Sequence, residues 1–208
     1  MKKKLHIKRF TLLAAVLLAL AISFTGCGKD SSNSESKGSH GPKASLKNFE
    51  TTTLVGEKFT QDNLKDYDLT VVNVWSTTCG YCIDEMPALE KLKNQLPSNV
   101  QFVSICLDGE ASPDTAKEIL SKQGLTAKTL VPSDSLNEGL LQYVSGTPTT
   151  VFFDKNGKQI GDPKVGAFST HDTDAITELY MKEVNSRLKK LSKVGIVRNS
   201  LCLKSIKG

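Results

Sequence analysis

The stretch Val71-Val72-Asn73-Val74-Trp75-Ser76-Thr77-Thr78-Cys79-Gly80-Tyr81-Cys82-Ile83-Asp84-Glu85-Met86-Pro87 decides how the rest of the chain is read. Val71 to Trp75 is a β-branched, apolar run, as expected of a strand covered on both faces. From Gly80 to Leu96 the apolar residues Ile83, Met86, Leu89, Leu92 and Leu96 recur at spacings of three and four, which predicts an amphipathic helix. Pro87 falls inside it and should kink it, because proline has no N–H to offer the carbonyl of Ile83. Strand, Cys-Gly-Tyr-Cys and helix in that order put Cys79 at the helix N-terminus, where orphan N–H groups and the helix dipole favour a thiolate. The thiolate is the attacking species in disulfide exchange. Cys82 lies three residues further on, on the same face and within reach of Cys79. Exchange chemistry needs that asymmetry: an exposed nucleophile forms a mixed disulfide and a shielded neighbour resolves it.

Two other readings of Cys79 and Cys82 are open at this point. A structural zinc site wants four ligands, and the only histidines are His6, His40 and His171, spread over the signal-like start, the polar segment after it and the beginning of the last helix. No metal is expected. A purely structural disulfide is the other reading, but closing so short a loop stabilises little by loop entropy. Cys106 sits in the apolar run Val100 to Leu107 and reads as an inert core residue. Cys202 has no evident partner.

Outward from the motif, runs of strand length alternate with segments of helical period, which predicts an α/β domain around a central sheet. Phe49 to Leu54 and Glu57 to Thr60 flank Val55-Gly56 and suit a hairpin ahead of the main fold. Val100 to Leu107 and Leu125 to Val131 are expected strands, with a helix from Asp114 to Gln123 stopped by Gly124 between them. Asp134 is expected to cap a short helix through Leu141. Thr149 to Phe153 and Lys158 to Phe168 are expected to form an antiparallel hairpin around Asp154-Lys155-Asn156-Gly157. A last helix is expected from Asp172 to Leu191, with Ile176, Leu179, Val184, Leu188 and Leu191 making most of its apolar face.

The ends of the chain read differently. Met1 to Arg9 is basic, Phe10 to Phe24 is apolar, and small residues precede Cys27, the pattern of an export signal. Phe24-Thr25-Gly26-Cys27 resembles a bacterial lipobox, in which the Cys is lipidated; Phe24 departs from the Leu usual three places before it. Residues 1–26 are therefore read as a lipoprotein signal peptide, 27–45 as a flexible Gly-, Ser- and Asn-rich tether, 46–191 as the domain and 192–208 as a tail without assigned role. The formal net charge of +5 is matched by Lys2, Lys3, Lys4, Lys8 and Arg9. The remainder is neutral overall, which argues against nucleic acid as a partner.

Residues 71 to 87 resemble the active-site stretch of the TlpA/ResA branch of the thioredoxin superfamily, and Gly146-Thr147-Pro148-Thr149-Thr150 resembles that superfamily's cis-proline loop. The resemblance implies a thioredoxin-like fold, a central mixed sheet flanked by helices, here with an N-terminal β-hairpin extension. It implies Cys79 as nucleophile, Cys82 as resolving thiol, Pro148 as the cis residue facing the disulfide, and Glu85 as a carboxylate serving the redox centre. It assigns substrate contact to Thr147 and Trp75, although covering the disulfide and filling the core are both compatible with the place of Trp75. Thr78 stands where many relatives have a second tryptophan, and Tyr81 where reducing thioredoxins carry proline. The implied activity is thiol-disulfide exchange with exported thiol or disulfide proteins, as a reductase without cofactor. It would act at the extracytoplasmic face of a bacterial cell membrane, held there by lipid on Cys27 and supplied with electrons by a CcdA/DsbD-type membrane carrier. The alternatives are a thiol peroxidase of the same fold and a non-catalytic binding lipoprotein. The peroxidase pattern wants a proline at Val72 and an arginine before Arg187; the intact Cys-Gly-Tyr-Cys argues against the second.

Overall fold

A computed structural model of the chain describes residues 43–193. In chain order its strands are β1 Glu50–Thr52, β2 Lys58–Thr60, β3 Leu69–Trp75, β4 Val100–Cys106, β5 Lys128–Leu130, β6 Thr149–Asp154 and β7 Lys164–Val165. Its helices are α1 Gly80–Gln95, α2 Pro113–Gln123, α3 Asp134–Gly139 and α4 Thr173–Lys193. The main sheet has the order β5-β4-β3-β6-β7. β3, β4 and β5 run parallel, while β6 and β7 pair antiparallel, so the sheet is mixed. β3 is its central strand and every residue of it is buried, which is why its sequence is almost continuously apolar.

Strand side chains alternate between faces, and two apolar layers result. Leu69, Val71 and Trp75 of β3 join Phe102, Phe152 and the inner faces of α1, α2 and α4 on one side. Val72 and Val74 join Val103, Ile105, Val151 and Phe153 on the other, under Phe49, Phe59 and Leu136. That second layer is closed by the β1–β2 hairpin, as expected of the extension. The hairpin strand also runs on along the outer edge of β5, through Leu54 N–H to the Thr129 carbonyl and Val131 N–H to the Thr52 carbonyl.

Several expectations are corrected in detail. Lys158 to Phe168 is not one strand: Gln159 bridges Phe153, and pairing resumes only at Lys164 and Val165, opposite Thr150 and Thr149. Between them Gly161 adopts φ +73°, and Pro163 has no N–H to give a ladder. The break is held by Arg187, whose Nη2 donates to the Asp162 carbonyl at 2.8 Å. Ser133, not Asp134, caps α3, its hydroxyl accepting from the Leu136 N–H. That helix stops at Gly139, and a 3-10 turn follows at Leu141–Tyr143. The Leu125 to Val131 run pairs only over Lys128–Leu130. On α4, Tyr180 is buried where Leu179 was expected, and Leu179 is only half-buried. Gly124 ends α2 as expected, in the left-handed conformation at φ +71° that favours glycine. α1 continues through Pro87 to Gln95. Ala44 and Ser45, read as the end of the tether, belong to the domain: Ala44 is buried and its N–H donates to Gln159, and Ser45 bridges Lys158. The signal, the rest of the tether before residue 43, Cys27 and Cys202 lie outside the described residues.

Candidate active site

β3 ends at Trp75, and a short loop carries the chain to Cys79, the residue that caps α1. Cys79 and Cys82 form a disulfide with Cα atoms 5.2 Å apart. The Cys79 sulfur accepts the Cys82 backbone N–H at 3.2 Å, so one orphan donor of the helix start points at it. Cys79 is half-buried, whereas Cys82 is 1% exposed. The two cysteines thus have the unequal access that disulfide exchange needs. The loop before them is tied down by Asp108, just beyond β4. Its carboxylate accepts the Thr77 N–H at 2.9 Å, the Thr77 hydroxyl and the Cys106 thiol. Burial works against that charge, but the Thr77 donors outweigh it and hold the carboxyl below its usual range.

Cys106 itself is fully buried. Burial, and then the neighbouring Asp108 carboxylate, push its thiol up to about 12. It is a core thiol, as read from the sequence. Reduced protein treated with iodoacetamide at neutral pH is expected to remain unlabelled at Cys106, and Cys106→Ala to keep its exchange rate within about twofold. Peptide mapping and an insulin-reduction assay check this; labelling at Cys106 would overturn it.

Glu85 sits one turn beyond Cys82 on α1 and is only 2% exposed. Its Oε1 accepts from Asn73 Nδ2 at 3.2 Å and its Oε2 from the Tyr180 hydroxyl at 3.0 Å. Burial raises its pKa from an ordinary 4.5 to about 7, against the opposing pull of those two donors and the Lys164 charge. A carboxyl poised near neutrality beside a buried thiol can take or give a proton at working pH. Beside it opens a cleft of about 330 Å³ lined by Tyr81, Asp84, Glu85, Phe168 and His171. Tyr81 is 67% exposed at its rim.

The Thr147–Pro148 peptide bond is cis. Pro148 is buried and Thr147 half-buried. They lie one step beyond the Val74–Thr149 pair, at the end of β3 from which the Cys79 loop departs. Trp75 is a correction. Its side chain is 0% exposed and packs in the core with Cys82, Met86 and Phe152. A ring without accessible area cannot contact a substrate; Trp75 fills the core in the cluster that also holds Cys82. Sequence reasoning missed Asn73, Thr150, Tyr180 and Asp108. Asn73 did carry a signal, a lone amide in the middle of a buried strand, which needs a partner. Among the described residues no three His, Cys, Asp or Glu side chains gather as a metal site would require.

Residues 37–179 match the family described as Redoxin. A relative, the thioredoxin-like protein YneN of Bacillus subtilis strain 168, is 28% identical over 173 residues, covering 80% of this chain and 96% of that protein. Among solved structures, a putative protein disulfide isomerase from Bacteroides thetaiotaomicron superposes with a TM-score of 0.55 at 18% identity, covering 74% of this chain and 94% of the other. A thiol:disulfide interchange protein from Chlorobium tepidum does so with 0.51 at 22%, covering 67% and 97%. A secreted Mycobacterium tuberculosis disulfide oxidoreductase homologous to Escherichia coli DsbE gives 0.50 at 22%, covering 63% and 92%. At these identities the superpositions establish the shared thioredoxin-like fold.

Proposed function

Because the chain belongs to the Redoxin family and is a thioredoxin-like thiol-disulfide oxidoreductase, we propose that it reduces disulfides of exported proteins at the outer face of a bacterial cell membrane. The observation that carries the reading is the Cys79–Cys82 disulfide at the start of α1, with Cys79 the more accessible sulfur. In the reduced protein the Cys79 thiolate attacks a substrate disulfide, forming a bond to one substrate sulfur and releasing the other as thiolate. Cys82 gives its proton to Glu85, and its thiolate displaces the substrate from Cys79. The disulfide reforms, two electrons have passed to the substrate, and the two substrate thiolates take protons from water. Pro148 and Thr147 present the backbone against which the substrate segment lies during both steps.

Location and anchoring rest on the N-terminal sequence: a basic start, an apolar run, and Cys27 as the lipidated residue, joined to the domain by the polar tether. A secreted protein shares the fold. The reducing direction and the CcdA/DsbD-type electron donor rest on the TlpA/ResA resemblance of residues 71 to 87.

A redox titration of the intact protein, paired with insulin reduction, tests the reading. The expected result is a reversible two-electron couple nearer the value of thioredoxin, about −270 mV, than that of the oxidant DsbA, about −120 mV. Absence of any reversible couple would end the exchange reading, and a potential close to the oxidant's would reverse the direction.

A further inference from the structure

Four elements meet at Glu85, and their polar side chains form a closed ring inside a largely apolar layer. Asn73 of β3 and Thr150 of β6 stand opposite each other in register. Asn73 Nδ2 donates to Glu85 Oε1 at 3.2 Å and to Thr150 Oγ1 at 3.1 Å. The Thr150 hydroxyl donates to the Tyr180 oxygen at 3.5 Å, the longest link, and the Tyr180 hydroxyl donates to Glu85 Oε2 at 3.0 Å. Both amide hydrogens and both hydroxyl hydrogens are therefore spent within the ring, and two donors converge on the carboxylate from opposite sides. A buried carboxylate without such donors would stay protonated. Tyr180 is in turn held by Phe168, edge to face with ring centroids 4.9 Å apart.

We propose that Tyr180 is a positioning residue for Glu85: its phenol closes the ring that keeps the carboxylate charged while buried, and accepts in turn when the carboxyl is protonated. The proposal rests on the reading of Glu85 as the group that takes the Cys82 proton. A proton arriving at Oε2 points at the Tyr180 oxygen, and the Tyr180–Thr150 link reverses: the Thr150 hydroxyl turns away and the Tyr180 hydroxyl donates to the lone pair that takes its place on Thr150 Oγ1. The carboxyl thus changes charge by rotation of two hydroxyls, with no side chain displaced. Tyr180 does not itself lose a proton, since burial and the neighbouring Glu85 charge push its phenol well above the usual value.

Other charges face the same carboxyl. Lys164 of β7 acts on it through its charge, with its Nζ 4.2 Å from the centroid of the Phe168 ring and donating to the Gly166 carbonyl. Glu183 on α4 acts on Lys164 and Tyr180 and is itself paired with Arg187. Asp84 and His171 line the cleft beside it. The lysine field is the rival explanation of how Glu85 ionises while buried.

Titration of the Glu85 carboxyl by carbon-13 NMR in the full-length oxidised protein separates them. The parent is expected to titrate near 7. Tyr180→Phe, which deletes one donor to a charged acceptor and little volume, is expected to raise the midpoint by about 1 to 2 pH units. Thr150→Val leaves the phenol in place and removes the acceptor that its hydroxyl needs once the carboxyl is protonated, so it should lower the midpoint; it carries the test if Tyr180→Phe fails to fold, and a midpoint unchanged or raised there would overturn the proposal. Lys164→Met is expected to shift it less than Tyr180→Phe does. A midpoint unchanged in Tyr180→Phe, or a larger shift in Lys164→Met, would overturn the proposal. Cys82 holds no proton in the disulfide form, so this failure is distinct from failure of the proton-acceptor reading, which shows in the resolution rate of reduced Glu85→Gln.

Discussion

Cys79→Ser is expected to lower disulfide exchange by roughly a thousandfold or more, while Cys82→Ser is expected to form mixed disulfides that do not resolve. The two sulfurs are bonded to each other in the oxidised protein, yet their surroundings differ. Cys79 is the N-cap of α1 and half-buried, so a substrate sulfur can reach it, and a helix N–H already points at its Sγ. Removing it removes the only sulfur at this site that a polypeptide can approach. Cys82 is almost fully enclosed among Trp75, Met86 and other core residues, so it cannot begin exchange. Insulin reduction reads the first variant. Non-reducing electrophoresis of membranes from cells making the second reads its trapped partners, and their identity would name substrate and direction together. If the Cys82→Ser variant turned over at the parent's rate, or if Cys79→Ser rather than Cys82→Ser trapped partners, the roles given to the two sulfurs would be wrong.

What the sequence made legible was whatever depends on near neighbours. The apolar run of β3, the three-and-four spacing of α1 and the two cysteines at their junction each declare themselves within a few residues, and together they specify the fold and the redox pair. The site's second half was hidden, because it is assembled across long separations. Tyr180 meets Glu85 over 95 residues of chain. Nothing local distinguishes it from the other residues on the inner face of α4, and only the sheet register, which sets Asn73 beside Thr150, shows what its hydroxyl is for. Asp108 was hidden for the same reason, since its partner Thr77 lies in a different loop. Trp75 shows the opposite failure. A conspicuous aromatic beside the motif invited a surface role, but strand parity turns it into the layer beneath α1, where no substrate reaches. The expected strand from Lys158 to Phe168 failed at Gly161 and Pro163, whose backbone preferences outweighed the apolar pattern around them.

Glu85→Gln is expected to make the oxidised protein more stable above neutral pH and slower in resolving mixed disulfides. The sign follows from where the proton sits. Burial lifts the folded-state pKa from 4.5 to about 7, so between those values the folded protein holds a proton that the unfolded chain has lost. Stability therefore falls as pH rises through that window, by about 3 kcal/mol in all, and is level on either side of it as far as this group is concerned. A neutral amide at the same place does not carry that loss. At pH 8 the variant is expected to be more stable by about 1 to 3 kcal/mol, the lower figure allowing for a poorer match of the amide to Asn73 and Tyr180, and at pH 4 it should gain nothing. Denaturant unfolding of parent and variant at both pH values measures it, with both proteins kept oxidised so that Cys82 does not titrate. The kinetic consequence runs the other way. A carboxylate able to take the Cys82 proton is present only above about pH 7, so the parent's resolution rate should climb through that pH and the variant's should lack the climb, falling about 100-fold behind at pH 8. Equal resolution rates would remove Glu85 from the proton transfer, and an equal stability difference at pH 4 and pH 8 would show that the carboxyl does not ionise near neutrality. A protein that keeps a destabilising charge beneath its redox pair, where a neutral amide would cost less above neutral pH, has a chemical reason to do so.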